Sequence, residues 1–184
     1  MKNLLVWALC SFVFVFVSCK GGETTEGGTE TTASADTTVM APAEFADPKY
    51  SEMVKTGLAA LSSGDVAAWL SNFSDDAVYA WNYGDSLAGK AAITEYWTKR
   101  RAETLESLTF ENQIFLPVKV NTPQSTEATG VWVLAWYETT AKYKPSGKSM
   151  TQWIHTDTHF NADGKIDRVI QYVDRMAINA AMAN

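Results

Sequence analysis

Residues 64–97 read GDVAAWLSNFSDDAVYAWNYGDSLAGKAAITEYW, and this stretch decides the fold. Gly64-Asp65 has the composition of a helix start, with Asp65 as N-cap. Val66, Trp69, Leu70 and Phe73 then recur at helical spacing and form one apolar stripe. Asp75-Asp76 turns the chain out of that helix into a short strand over 77–81, in which Val78 and Ala80 face one way and Tyr79 and Trp81 the other. Asn82-Tyr83-Gly84-Asp85-Ser86 is a loop by composition. A long helix over 88–105 follows, with Ile93, Tyr96, Trp97 and Arg100 on one face.

Upstream, Asp47-Pro48 marks the start of another helix, Asp47 as N-cap and Pro48 at the first helical position. Met53, Val54, Leu58 and Leu61 give it a core-facing stripe before Ser62-Ser63-Gly64 ends it. Downstream the periodicity changes from helical to alternating. Four strands are expected over 108–120, 130–143, 149–160 and 165–175, separated by turns at Asn121-Thr122-Pro123, Lys144-Pro145-Ser146-Gly147 and Asn161-Ala162-Asp163-Gly164. A short helix over 176–183 closes the chain. Helices first and a meander afterwards predict an α+β fold in which N-terminal helices pack on an antiparallel sheet.

This order of a helix pair, a short strand, a third helix and a meander resembles the NTF2-like superfamily, in particular its SnoaL-like branch. The resemblance spans nearly all of residues 50–175 and implies a cone, with the helices over a strongly curved antiparallel sheet. It also implies dimerisation through the convex face, so a homodimer is expected. The superfamily uses one scaffold for enzymes, ligand binders and dimerisation modules, so function must be argued from the site.

The N-terminus is read separately. Met1-Lys2-Asn3 is a short positive segment, and residues 4–17 are almost wholly apolar, too short a run for a spanning helix, which needs roughly 17–25 residues. Phe16-Val17-Ser18-Cys19 resembles a bacterial lipobox, which makes 1–18 a lipoprotein signal peptide and Cys19 the acylated mature N-terminus. The expected location is the bacterial cell envelope, lipid-anchored, the outer membrane ahead of the inner. The only other cysteine, Cys10, lies inside the signal, so the domain's stability must come from its own core. Residues 19–44 carry no aromatic side chain and read as a disordered acidic tether. Within it Asp36-Thr37-Thr38 resembles an O-glycosylation site of Bacteroidota. The domain proper is expected over 45–184.

Charge excludes some partners. The chain has 15 Lys and Arg against 21 Asp and Glu. Removing Lys2 and Lys20, and Glu23, Glu26, Glu30, Asp36 and Glu44, leaves 13 against 16 in the domain. A mildly acidic domain is a poor partner for nucleic acid or an anionic membrane face, which select basic patches, so membrane contact is expected through the lipid anchor only. No glycine-rich phosphate loop, metalloprotease helix or nucleophile elbow is present, and no cofactor is expected.

The candidates for chemistry are few. Both histidines of the domain lie in Trp153-Ile154-His155-Thr156-Asp157-Thr158-His159, where alternation puts Trp153, His155, Asp157 and His159 on one face. As a metal site they are awkward, because residues two apart on a strand stand about 6.6–7 Å apart and zinc wants ligands at about 2 Å; no metal is expected. The run from Asp163-Gly164-Lys165-Ile166 through Tyr172-Val173-Asp174 resembles the closing signature of SnoaL-like polyketide cyclases. That resemblance implies Asp174 as general acid or base, with His155 or His159 as its partner; the alternative is Asp174 paired with Arg175 or Arg168 at a strand end. Matching Phe73-Ser74-Asp75-Asp76-Ala77 to the related ketosteroid isomerases puts Trp81 where their catalytic aspartate stands and Gly57 where their oxyanion tyrosine stands, so that mechanism is not expected. In the strand over 130–143, Trp132, Leu134 and Trp136 share one face, and Val131, Val133, Ala135 and Tyr137 the other, so both faces need covering. Three functions follow: a cone lined by Tyr79, Trp81, Trp97, Trp136, Trp153 and Tyr172 that binds a small apolar or ring-shaped molecule, favoured here; a cofactor-independent cyclase or isomerase; and a dimer without a pocket.

Overall fold

A computed structural model describes residues 40–183. The expected signal peptide, Cys19 and residues 20–39 of the tether lie outside the described residues. The chain already joins the sheet at β1 (Ala43–Phe45), whose Glu44 pairs with Lys119 at 3.0 Å. Among the described residues the first strand therefore lies at Ala43–Phe45, where an edge strand needs only backbone partners and tolerates polar side chains.

Asp47 starts α1 (Lys49–Ser63) by accepting a hydrogen bond from the Lys49 backbone N–H at 2.9 Å. Val54, Leu58 and Leu61 are buried along its stripe, and Gly64 ends it in a left-handed conformation, φ 92°. Asp65 caps α2 (Val66–Trp69) by accepting from the Ala68 N–H at 2.8 Å. The helix is a single turn continued by a 3-10 turn, and all four predicted stripe residues, Val66, Trp69, Leu70 and Phe73, are buried.

The strand β2 (Phe73–Trp81) begins four residues earlier than the turn composition of Asp75-Asp76 suggested. Its pairing shifts register between Phe73 and Val78, and this irregularity leaves both aspartates exposed within the strand. β3 (Ser86–Ala88) folds back on Val78–Ala80, and Gly89, at φ 87°, turns the chain into α3 (Lys90–Lys99). The expected long helix is therefore shorter at its start, and its last turn, Arg100–Thr104, widens to a π-helix. The meander follows as β4 (Leu105–Val120), β5 (Gly130–Tyr143), β6 (Ser149–Phe160) and β7 (Ile166–Tyr172), and α4 (Arg175–Met182) closes the described chain.

The strand order is β1-β4-β5-β6-β7-β2-β3. All neighbours are antiparallel except β2 and β7, which run parallel, with β3, α3 and the strands β4 to β6 between them in sequence. The sheet is curved and antiparallel-dominated, with helices packed against it, as expected for an α+β cone. A bulge on β4 at Asn112, φ 50°, shifts the register between Glu111 and Ile114 and adds to the bend. The core lies between the concave face and the helices: Ile93, Val133, Ala135 and Ala77 have no measurable exposure.

Candidate functional site

Directly opposed residues of neighbouring strands project from the same face, so the register assigns every strand residue to a side. One row runs Trp81–Gln171–Thr156–Ala135 across β2, β7, β6 and β5, and the next runs Tyr79–Val169–Thr158–Val133. These rows face the helices. Their Tyr79, Trp81, Thr156, Thr158, Val169 and Gln171 line a cavity of about 250 Å³ whose wall is completed by Leu58 of α1, Tyr96 and Trp97 of α3, Arg100 of its last turn, and Ile178 of α4. The neighbouring rows Trp136–His155–Tyr172 and Trp132–His159–Arg168 stand on the opposite, convex face.

The expected pocket is thus divided. Tyr79, Trp81 and Trp97 line the cavity and are nearly fully buried. Trp136, Trp153 and Tyr172 do not: Trp153 is 55 % exposed and Tyr172 is 42 % exposed. Trp136 stacks on His155 with ring centroids 4.6 Å apart, and His155 meets Tyr172 at 5.3 Å. A strand with two apolar faces does not announce which one is concave, and the larger aromatics of β5 and β6 turned out to cover the outside.

The histidines follow them outward. His155 Nε2 lies 2.7 Å from Asp157 Oδ1, and its Nδ1 lies 3.0 Å from the Ala135 carbonyl oxygen. His159 Nδ1 lies against Asp167 Oδ1, and its Nε2 is 3.0 Å from the Thr129 carbonyl oxygen. Both nitrogens of each ring are turned to oxygen acceptors, an arrangement that anchors the rings and leaves none aimed at the cavity.

Asp174 is not brought to either histidine. It is exposed and caps α4, accepting hydrogen bonds from Met176 N–H at 2.8 Å and Ala177 N–H at 3.4 Å. Its own backbone is clamped by Gln152, whose Oε1 accepts from the Asp174 N–H at 2.8 Å. A carboxylate at a helix N-terminus is a stabilising device. Asp174→Ala should therefore cost about 0.5–2 kcal/mol in urea unfolding while Asp174→Asn, an equally good cap, should cost almost nothing.

The groups that do face the cavity were only partly visible in the sequence. Tyr137, Thr139, Tyr143 and Gln171 line it and were not singled out, whereas Arg100 was placed on the correct helix face. The available signal was the small residues Ala135 and Ala141 alternating with Tyr137 and Tyr143, since room inside a curved sheet requires small side chains among the large. Trp81 Nε1 donates to Gln171 Oε1 at 3.0 Å, fixing the glutamine amide. Trp69, Tyr79 and Trp97 pack edge to face with centroids 5.4–6.0 Å apart. No aspartate, glutamate or histidine is among the lining residues described.

Burial governs the ionisation of the phenols. Loss of hydration pushes the Tyr137 hydroxyl up to about 12, against the opposing hydrogen bonds of Thr156 and Gln171. The same desolvation drives Tyr79 well upward, with Tyr137 and Tyr96 adding to it and Arg100 opposing it, and raises Tyr143. These hydroxyls stay protonated near neutral pH and serve as neutral donors. A tyrosine in the unfolded chain ionises near pH 10. Because the folded state holds the proton more tightly, its contribution to stability is complete below about pH 10 and is lost as pH rises toward about 12. Urea midpoints measured across that range should fall, and the fall should be shallower in Tyr137→Phe.

The sequence model of the SnoaL-like domain matches residues 54–169. The chain belongs to the SnoaL-like domain family. A comparison with curated protein sequences finds no match. Among solved structures, this SnoaL-like domain is similar to a protein from Xanthomonas campestris pv. campestris assigned as a polyketide cyclase, at 17 % identity over 73 % of this chain and 97 % of that one, TM-score 0.59. It is also similar to an NTF2-like protein from Burkholderia xenovorans LB400, at 19 % identity over 76 % and 100 % of the two chains, TM-score 0.56. A third similar structure is TerC co-crystallised with polyporic acid, at 16 % identity over 72 % and 97 %, TM-score 0.55. At these identities the likeness is one of fold.

Proposed function

We propose that this SnoaL-like domain is a binding module that holds a small apolar or ring-shaped molecule in its cone. The observation that carries this reading is the cavity of about 250 Å³ walled by aromatic rings of β2, α3 and β5. Its size is just below the roughly 300–1,000 Å³ of drug-sized ligand sites, which suits one or two rings. The co-crystallisation of TerC with polyporic acid is compatible with a ligand-holding role for such a cone. The cyclase or isomerase alternative, with Asp174 and a histidine as acid and base, is less well supported, since Asp174 caps α4 and both imidazoles stand on the convex face.

The test uses a neutral two-ring dye, 6-propionyl-2-(dimethylamino)naphthalene, whose fluorescence shifts and rises in apolar surroundings. One saturable site per chain is expected. Trp81→Ala should weaken uptake by about tenfold, the equivalent of 1.4 kcal/mol, and Trp153→Ala should leave it unchanged. Equal uptake by Trp81→Ala, checked for native circular dichroism, would refute the cavity as the binding site.

The same proposal places the domain at the bacterial cell envelope, the outer membrane ahead of the inner, tethered through an acylated Cys19. Its support is the apolar run over 4–17 followed by Ser18-Cys19. The convex face, where Trp153, Tyr172 and Ile114 are exposed beside Trp136, suits a homodimer. Sedimentation equilibrium of the full chain at micromolar concentration should give twice the chain mass, and Trp153→Glu should halve it.

A further inference from the structure

We propose that the molecule held in the cone is a monoanion: a one- or two-ring compound with a carboxylate or ionised enol whose oxyanion pairs with Arg100. The inference rests on the binding reading above and specifies its ligand class. Every charged or ionisable group of the wall points the same way. Arg100 projects from the α3 side, and among the described residues no carboxylate lies within ion-pair distance of it. Arg175, the other cation of the lining, already shares its charge with Asp85 at 3.8 Å and lies over the Tyr83 ring at 4.3 Å. The phenols of Tyr79, Tyr137 and Tyr143 are neutral donors, and the positive charge of Arg100 acts on Tyr143 and Tyr79 against their desolvation.

A guanidinium in an enclosed, largely apolar site attracts an anion more strongly than it would in water. Its planar fork matches two oxygens of one group, which makes a carboxylate a better partner than a neutral amide. The rings of the ligand would pack among Trp81, Tyr96 and Trp97.

The experiment is calorimetric titration of the full chain at low ionic strength with three probes of one shape: 2-naphthoate, 2-naphthamide and trimethyl(2-naphthyl)ammonium. Naphthoate is expected to bind at least about tenfold more tightly than the amide, the range of a charge-assisted hydrogen bond. Arg100→Gln should remove that preference, and Arg100→Lys should retain part of it. If Arg100→Gln does not give a native melting transition, Arg100→Lys carries the test and should reduce the preference. Equal binding of naphthoate and amide, a preference for the ammonium, or a preference unaffected by these variants would overturn the anion inference and leave the binding reading intact. Failure of all three probes and of the neutral dye to bind would overturn both.

Discussion

Trp97→Ala is expected to lower the free energy of unfolding by about 3–5 kcal/mol, the usual cost of truncating a buried tryptophan. Trp97 is 6 % exposed and sits where α3 meets the sheet, with ring contacts to Trp69 at 5.4 Å, Tyr96 at 5.7 Å and Tyr79 at 5.9 Å. Each such contact adds to simple area burial because edges of one ring meet the face of another. The substitution would leave α3 without its main anchor and enlarge a cavity already present beside it, so little collapse can offset the loss. Urea unfolding of the wild type and the variant measures the difference. A loss below about 1.5 kcal/mol would mean that the aromatic cluster relaxes around the gap, and that the cavity wall is softer than its packing implies.

Gly130→Ala is expected to cost about 2–4 kcal/mol, from two causes acting together. Gly130 opens β5 at φ 117°, where an L-residue is strained by about 1–3 kcal/mol. A Cβ at this position would also lie 2.9 Å from His159 Nε2 and 3.2 Å from the Phe160 carbonyl oxygen. His159 cannot swing aside freely, since its Nδ1 is held by Asp167 and its Nε2 by the Thr129 carbonyl oxygen. Gly147→Ala provides the control: its φ of 69° carries strain, but nothing lies within 4 Å of the added atom, so its cost should be about 1–2 kcal/mol. Thermal or urea denaturation of the two variants separates the steric part from the backbone part. Equal losses would show that the His159 contact yields without penalty.

The local features of this domain were legible in its residues because short-range rules dictate them. Asp65 and Gly64 mark helix ends through capping and left-handed geometry, and both occupy those places. The bounds of β5 and β6 match the alternating runs between their turns, since alternation over a dozen residues has one reading. For Asp174 the family signature implies an acid or base, whereas the local rule gives its place in the fold. An aspartate immediately before a predicted helix is first of all a cap, and that is its place.

From the sequence alone came the α+β order, the SnoaL-like fold, the helix stripes and which strand residues share a face. Only the tertiary structure decided which of two apolar faces is the inside. Trp136 and Tyr137 are adjacent, equally aromatic and opposite in direction, and nothing local distinguishes them. The helices choose: they cover the face carrying Ala135, Tyr137 and Ala141, and the curvature of the sheet makes that face concave. Because side-chain direction repeats every two residues, that single decision moved Trp136, Trp153, Tyr172 and both histidines out of the cavity at once, and brought in Tyr137, Tyr143 and Gln171.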